Sequence, residues 1–263
     1  MNATELFEAG QLQDAIDAQI QQVKAAPTDQ AARLFLFELA AFAGDLDRAE
    51  KQIGAINYDK LEHQTAVEWY QYLIQSERLR RLCFAEGVTP EFMTPPPEHI
   101  LFRLEVINLV RENQFDQAKA TWEQANAQSP TIRGVLNEEP FEGLRDANDL
   151  CPTFLEVMAY GKYCWVPFEQ LKEVRLEPPQ YPRDIIWPLA KLSIHDVGTI
   201  QAFLPALYPS SWEHDDDRVK LGRMTDWKEY PNGLVGGVGL RLFDVADKEL
   251  TLLDWRHLEI TND

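Results

Sequence analysis

The first half of the chain has the hydrophobic spacing of amphipathic helices. Apolar residues recur there at intervals of three and four, which places them on one face of a 3.6-residue helix. Proline, or a residue with a capping side chain, stands where such a run ends or begins. The first run is followed by Pro27 and consists of Leu12, Ala15, Ile16, Ile20 and Val23.

The pattern continues through further helices. Thr28 and Asp29 offer cap oxygens for a second helix, whose apolar residues lie between Leu34 and Leu39. A long helix is predicted from about Lys60 to Leu82. The proline-rich stretch from Gly87 to Pro97 is predicted to be a loop, because proline fixes φ and lacks an amide donor.

A short motif recurs in this helical half. Residues 10–15 (GQLQDA) match residues 44–49 (GDLDRA) at an offset of 34, and residues 113–118 (NQFDQA) form a third copy about two periods later. This offset is the tetratricopeptide period. Glycine or asparagine suits a left-handed turn between paired helices. An unrelated helical bundle is the alternative. Each copy ends on a small residue that allows close helix packing: Ala15, Ala49 and Ala118.

The composition and hydrophobic pattern change after about residue 135, where prolines cluster and short runs of β character appear. We therefore predict an α+β protein with tetratricopeptide-like helical repeats over residues 1–135. A smaller, β-rich and mostly antiparallel module with short helices follows over residues 136–263. The predicted strands are Tyr163–Phe168, Leu171–Leu176, Ile200–Leu204, Leu234–Val245 and Leu250–Leu258.

Composition narrows the functional classes. The chain is 45% hydrophobic, enough for a packed core, and its net charge of −18 argues against binding to nucleic acid or to an anionic membrane. Three scattered cysteines indicate reduced thiols. The chain has neither a signal-like start nor an 18-residue apolar stretch, so we expect a cytoplasmic location.

The common chemical motifs are missing. Residues 214–217 (HDDD) lack metal-ligand spacing. Residues 233–239 (GLVGGVG) match neither the dinucleotide-binding fingerprint nor the phosphate-binding loop that ends in Lys-Ser or Lys-Thr. Ser210 and Ser211 lie outside any nucleophile elbow. We therefore predict no cofactor, no metal and no catalytic residues. The glycines are expected to allow a bulge or close packing of strands.

Two clusters in the second half combine arginine, aspartate and tryptophan. One contains Arg183, Asp184 and Trp187, and the other contains Arg223, Asp226 and Trp227. Such sets form either a recognition surface or a buried, fully hydrogen-bonded network. The network is the favoured interpretation of the two.

Several strings resemble the ImpE family, also called SciE or TagJ. They are residues 163–169 (YCWVPFE), 221–227 (LGRMTDW) and 237–241 (GVGLR), with Pro178-Pro179 before the first cluster. Asn148 and Leu240 depart from the family pattern. The residues that carry the resemblance, as recognition or structural residues, are Trp165, Pro167, Arg183, Asp184, Trp187, Gly222, Arg223, Thr225, Asp226, Trp227, Gly237, Gly239 and Arg241.

The resemblance implies a non-enzymatic accessory protein of bacterial type VI secretion. It implies binding to the N-terminal segment of the small sheath subunit, and a link to the Clp-type ATPase that disassembles the sheath. We expect the partner in the repeats or in the cleft between the modules, since stacked helix pairs form a groove. A hydrolase or small-ligand-binding protein using the β-rich module is the alternative. The oligomeric state stays open.

Overall fold

Helices dominate the first half of the chain. The computed structural model describes residues 1–56 and 61–261. The predicted start of the long helix at Lys60 lies outside the described residues. The Asp29 side chain caps the helix that begins at Gln30, by accepting from the Ala32 amide at 3.0 Å. The helices are α1 (Ala3–Glu8), α2 (Leu12–Ala25), α3 (Gln30–Phe42), α4 (Leu46–Gly54), α5 (Leu61–Glu86), α6 (Glu98–Arg111) and α7 (Phe115–Gln128).

The three motif copies form the turns of three helical hairpins. Gly10, Gly44 and Asn113 all have left-handed backbones, with φ of 79°, 73° and 60°. The next residue donates each time to a carbonyl five positions back, at 2.8 to 2.9 Å. This hydrogen bond defines the Schellman motif, which satisfies carbonyls that the helix end leaves free. The alanine that ends each copy is completely buried.

The second half contains most of the strands. Two short helices, α8 (Pro182–Ile186) and α9 (Asp217–Lys220), lie among them. The strands are β1 (Glu91–Phe92), β2 (Arg133–Leu136), β3 (Glu139–Glu142), β4 (Leu144–Asp146), β5 (Phe154–Ala159), β6 (Lys162–Pro167), β7 (Leu171–Leu176), β8 (Leu189–Ile194), β9 (Gly198–Phe203), β10 (Thr225–Glu229), β11 (Val235–Gly239), β12 (Leu242–Val245), β13 (Lys248–Thr251) and β14 (His257–Ile260).

A large sheet organises these strands. Its order is β1-β6-β5-β9-β8-β7-β14-β2-β3, with smaller sheets β13-β12-β4 and β10-β11. The pairing is antiparallel as predicted, except that β1 runs parallel to β6. The loop predicted for Gly87–Pro97 is therefore partly wrong, because β1 lies within it. Phe92 packs edge-on against Trp165, with ring centroids 6.4 Å apart, and this contact draws the segment onto the sheet.

The shorter predicted strands agree with the structure. The strand predicted for Leu171–Leu176 is β7, and those predicted for Tyr163–Phe168 and Ile200–Leu204 overlap β6 and β9. β6 and β9 contain aromatic and β-branched residues, and a glycine or proline lies near an end of each predicted strand, so local signals were sufficient.

The two longer predicted strands are each divided. Leu234–Val245 becomes β11 and β12, because the chain turns at Gly239, whose φ is 94°. Leu250–Leu258 becomes β13 and β14, separated by a 3₁₀ turn over residues 252–254. That turn is capped by the Thr251 hydroxyl, which donates to Asp254 at 2.7 Å. Strand-like composition alone did not indicate these interruptions.

Helix α5 joins the helical part to the sheet. Its buried residues belong to one hydrophobic core with Phe154 and Met158 of β5 and Trp165 of β6. A second core lies on the far side of the sheet. The division of the chain at residue 135 stays a prediction, and the core passes across that point. All three cysteines are buried and free.

Candidate docking groove

The C-terminal half of α5 places a charged side chain inside the β-rich half. Arg80 Nε and Nη2 donate to the two carboxylate oxygens of Glu156 on β5, at 2.7 and 3.0 Å. Nη2 also donates to the Leu207 carbonyl at 2.8 Å. Both charged side chains are almost completely buried. A bidentate pair fixes orientation as well as distance, so it holds α5 in one register on the sheet.

Arg241 extends this pair into a buried polar cluster. Its Nη1 donates to Glu156 at 2.9 Å, while Nε and Nη2 donate to Asp146 at 2.9 and 2.6 Å. The Tyr208 hydroxyl donates to Asp146 at 2.8 Å, and the Tyr163 hydroxyl donates to Glu156 at 2.5 Å. Each charge in the cluster therefore has an opposite charge and further hydrogen bonds, as a buried ion pair requires.

The electrostatics of the cluster favour an ionised Glu156. Burial alone would raise the pKa of this carboxyl, but Arg80 and Arg241 outweigh burial and keep the pKa below its ordinary value. Neither Glu156 nor Asp146 lines any of the five main cavities of the described residues. Those cavities therefore give a substrate no path to either carboxylate.

Two of the family-motif residues lie on β6, and the first contacts this cluster. Trp165 is fully buried and stacks on Phe154, with ring centroids 4.0 Å apart. Its indole nitrogen donates to the Tyr163 hydroxyl at 2.7 Å. Pro167 is buried at the end of β6 and begins the short 3₁₀ turn that leads into β7.

The first arginine cluster connects α8 with two helices of the repeats. Arg183 forms an ion pair with the buried Glu38 of α3 and donates from Nε to the Tyr70 hydroxyl of α5 at 2.7 Å. Asp184 does not pair with Arg183. It accepts from the amide nitrogens of residues 180 and 181, both at 3.0 Å. Trp187 is buried at the end of α8.

The second cluster contacts α1. Arg223 Nη1 and Nη2 donate to the carbonyls of Glu8 and Phe7 at 2.8 and 2.7 Å. A cation at the C-terminal end of a helix is favourable there, because it satisfies carbonyls that the helix leaves free.

The other members of the second cluster point elsewhere. Asp226 contacts His214 Nε2 at 3.1 Å, and the Thr225 hydroxyl donates to the Leu240 carbonyl at 2.6 Å. Trp227 is 38% exposed and lies 6.1 Å from the Tyr208 ring. The arginine, aspartate and tryptophan of this motif therefore do not form one polar set.

The glycines of the motifs stand where other atoms approach closely. A Cβ on Gly237 would lie 2.2 Å from a ring carbon of Tyr208, and one on Gly239 would lie 2.1 Å from the Met224 carbonyl oxygen. Gly222 combines a φ of 64° with a contact to the Leu207 side chain. The glycine-rich segment thus permits close packing, as its sequence predicted. Strand β12, and not a helix, follows this segment, so it lacks the helix N-terminus with which such loops bind phosphate.

A groove lies along the middle of α5. It encloses about 250 Å³ between the middle turns of α5, strand β9 and the tip of the β5–β6 hairpin. Four large side chains on its rim remain exposed, namely Trp69 at 39%, Tyr72 at 52%, Tyr160 at 77% and Leu189 at 38%. Several such side chains around one concavity are typical of a protein-binding site.

The packing around the groove fixes its shape. Trp69 meets Phe203 of β9 edge-on, with ring centroids 6.4 Å apart, and Tyr70 packs against the same ring at 6.1 Å. Leu189 of β8 stands opposite Phe203 in the strand register. Because Arg183 also holds Tyr70, the first arginine cluster supports the inner wall of the groove without lining it.

The groove offers little for chemistry. Its lining consists of aromatic, aliphatic, glycine, serine, threonine and glutamine residues, and it includes no histidine, cysteine, carboxylate, lysine or arginine. A serine or threonine nucleophile needs an adjacent base such as histidine, a carboxylate or lysine, and the lining supplies none. The groove is therefore suited to binding rather than to reaction.

One group of side chains in the described residues has the geometry of a possible metal site. Potential ligand atoms of Glu173, His257 and Glu259 lie within 4.8 Å of one another on the outer face of the sheet. His257 Nε2 lies 2.7 Å from Glu173, to which Arg175 also donates at 2.6 Å. These contacts form a cross-strand ion-pair network, and the arginine would repel a cation.

Comparisons with known proteins agree with the fold and the motifs. The family model described as ImpE protein matches residues 138–259. The type VI secretion system accessory component TagJ of Pseudomonas aeruginosa strain PAO1 is 37% identical over 259 residues, covering 98% of this chain and 91% of that protein. The chain belongs to the ImpE/TagJ family. The predicted resemblance is thereby confirmed, and this membership makes the chain an accessory protein of type VI secretion.

A solved structure shows the same fold. Protein VPA1032 of Vibrio parahaemolyticus superposes with a TM-score of 0.89 at 22% identity, covering 99% of this chain and 98% of that one. The ImpE/TagJ architecture of helical hairpins on a β-rich half is therefore shared at low identity. No helix among the described residues is both long enough and apolar enough to span a membrane.

The sequence motifs did not identify the groove. The family-motif residues divide among the buried cluster, the α3–α8 contact and the α1 contact, whereas the groove is formed by residues outside the quoted strings. A signal was present in the spacing of Trp69 and Tyr72, since residues three apart share one face of a helix. Among the described residues no element covers that face of α5, which the sequence alone did not reveal.

Proposed function

We propose that this chain is a non-enzymatic adaptor that binds the N-terminal segment of the small sheath subunit of type VI secretion. The proposal includes a cytoplasmic location and a link from the sheath to the Clp-type ATPase that disassembles it. Membership of the ImpE/TagJ family supports the secretion system as the setting. The identity of the partner comes from the resemblance of the motifs.

The observation that carries the adaptor role is the exposed apolar groove. Its rim and lining combine tryptophan, tyrosine and leucine around a preformed cavity. Buried aromatic anchors supply most of the affinity in protein interfaces. The lack of a histidine, cysteine, carboxylate, lysine or arginine in its lining favours binding of a segment over hydrolysis.

The proposal gives the family-motif residues an indirect role. Arg183, Arg223 and Arg241 each connect elements that are distant in sequence, namely α8 with α3, the α9–β10 segment with α1, and the β11–β12 junction with β4 and β5. We propose that these contacts hold the two halves in the arrangement that forms the groove. The motif would then define the frame of the binding site rather than its surface.

The test is a titration with a fluorescent N-terminal peptide of the small sheath subunit from the same organism, followed by anisotropy. We expect saturable binding with a Kd in the micromolar range, about −8 kcal/mol, and no binding of a scrambled peptide. Trp69→Ala should weaken binding at least about tenfold. Absence of binding by a demonstrably folded protein would refute the proposed partner.

A matched control comes from exposed side chains outside the groove. Leu101→Ala removes a similarly exposed apolar side chain on α6 and should leave the affinity unchanged. Trp227→Ala removes an indole whose exposure matches that of Trp69 and tests the alternative recognition surface. Loss of binding in the Trp227 variant alone would move the site away from the groove.

The link to the ATPase needs its own measurement. A pull-down of the ATPase by immobilised sheath peptide, with and without this chain, reports on bridging directly. Capture only in the presence of the chain is the expected result. Equal capture without the chain would leave the sheath-binding role intact and remove the linking role.

A further inference from the structure

One edge of strand β9 has no partner strand over most of its length. β9 pairs with β8 from Gly198 to Phe203, but it meets β5 only where Phe203 stands opposite Met158. The reason is the β5–β6 hairpin, which turns back at Tyr160 and Gly161 with φ of 53° and 74°. β9 continues past this tip, so its outer edge from Gly198 to Ala202 pairs with no described strand.

The groove follows this edge rather than one face of the sheet. Five consecutive residues of β9, Thr199 to Phe203, line the cavity. Side chains of successive strand residues point to opposite faces, and a cavity above one face would contact only every second residue. Contact with all five residues therefore places the cavity beside the backbone of the strand.

The sequence of β9 lacks the devices that protect other edges. β3 at the end of the large sheet reads Glu-Pro-Phe-Glu, and β13 at the end of a smaller sheet begins Lys-Glu. Charged residues and proline on an edge discourage another strand from pairing. β9 reads Gly-Thr-Ile-Gln-Ala-Phe, with no charge and no proline. An unprotected edge that opens into an apolar groove is suited to strand addition.

We propose that the bound partner segment adds to β9 as an extra β-strand. The inference rests on the proposed function for the identity of that segment. The occupant is an extended stretch of about five residues, matched to the free edge and free of proline where it pairs. Main-chain hydrogen bonds to β9 supply part of the affinity, and alternate side chains enter the groove against Trp69, Tyr72 and Leu73.

The two sides of the groove then have different tasks. The β9 edge recognises backbone, which every sequence has, so it does not select a partner by itself. The aromatic wall of α5 selects apolar side chains at alternate positions of the segment. The tip of the hairpin at Tyr160 limits how far the added strand extends toward β5.

The experiment is a backbone methylation scan of the sheath peptide, with affinity measured by anisotropy against the full-length protein. N-methylation removes one amide donor at a time and leaves the side chains in place. Strand addition predicts at least a tenfold loss at every second position of one stretch, with small changes between. Binding that is lost at all consecutive positions, as expected for a helix, would overturn the inference while leaving the proposed function intact.

A second readout follows the edge itself. Amide hydrogen exchange of β9, measured by NMR with and without peptide, should show at least tenfold slower exchange at alternate residues between Gly198 and Ala202. Val135 on β2, which pairs with neighbours on both sides, serves as the internal reference. Saturating peptide without new protection in β9 would refute strand addition, and failure of the unmodified peptide to bind would refute both proposals.

Discussion

Two stretches of α5 meet the β-rich half in opposite ways. The stretch around Arg80 inserts this side chain into a sealed cluster of charges, where both carboxylate oxygens of Glu156 are hydrogen-bonded. The stretch around Trp69 and Tyr72, earlier in the helix, leaves both rings exposed over a groove. One helix thus carries both a fixed polar attachment and an unfilled apolar surface.

This difference shows how a single element can serve stability and binding separately. A buried ion pair tolerates little change, because removal of one partner leaves the other charge without compensation. A half-exposed aromatic side chain contributes less to folding than a buried ion pair, and its exposed part is free to contact a partner. We therefore expect substitutions in the two stretches to affect different measurements.

The largest expected effect on stability lies at the buried charge cluster around Arg80. Glu156→Gln should lower the free energy of unfolding by about 3 to 5 kcal/mol, because Arg80 and Arg241 lose their shared carboxylate. Urea denaturation measures this directly. Glu142→Gln on the exposed edge strand β3 also removes an ion-pair partner and should cost less than about 1 kcal/mol. Similar losses in both variants would contradict the comparison.

The wild type and Glu156→Gln, compared at low pH, give a sharper test. Because the pKa of Glu156 is lowered in the folded protein, its stabilisation is complete above the ordinary pKa near 4.5 and is lost as the pH falls toward the lowered value. The stability difference between wild type and Glu156→Gln should therefore be largest near neutral pH and shrink below about pH 4.5. A difference that grows on acidification would show that this carboxylate does not stabilise the fold.

A smaller effect is expected where α3 and α4 meet the second half. Gly44 has a left-handed backbone, and a Cβ there would lie 2.3 Å from the Trp212 ring. Gly44→Ala should cost about 2 to 3 kcal/mol, from backbone strain together with the clash. Gly233 has a similar φ of 81° and open space, so Gly233→Ala isolates the strain at about 1 kcal/mol. Equal thermal shifts in the two variants would remove the role assigned to Trp212.

The smallest stability effect is expected at the groove. Trp69→Ala should lower the free energy of unfolding by only about 1 kcal/mol, because it loses the edge-on contact with Phe203. The same variant should lose about 1.4 kcal/mol or more of peptide binding, which is a tenfold change in Kd. Calorimetric unfolding and anisotropy on one preparation provide both numbers. A strongly destabilised variant would mean that this indole belongs to the core.

Local sequence signals were sufficient for the hairpins and for several strands. The left-handed turns at Gly10, Gly44 and Asn113 follow from residues that tolerate positive φ, and the buried alanines follow from their helical phase. β7 was also predicted at its observed bounds. The family, too, was recognisable from short strings in the second half.

Other features depended on contacts between distant residues. The sequence placed Arg183 beside Asp184 and Arg223 near Asp226, but the folded chain pairs Arg183 with Glu38 and Arg223 with the carbonyls of α1. These partners lie on helices that are far away in the sequence, so proximity in sequence did not identify them. β1 was missed because two residues in a proline-rich segment form a strand only against β6.

The sequence by itself determined the helical hairpins, the β-rich second half, the acidic surface and the family. The tertiary structure decided which side chains meet, and therefore where the buried cluster and the groove lie. The physical reason is range. Capping, turn preference and hydrophobic period act over a few residues, whereas the free edge of β9 and the uncovered face of α5 exist only because the β5–β6 hairpin ends where it does.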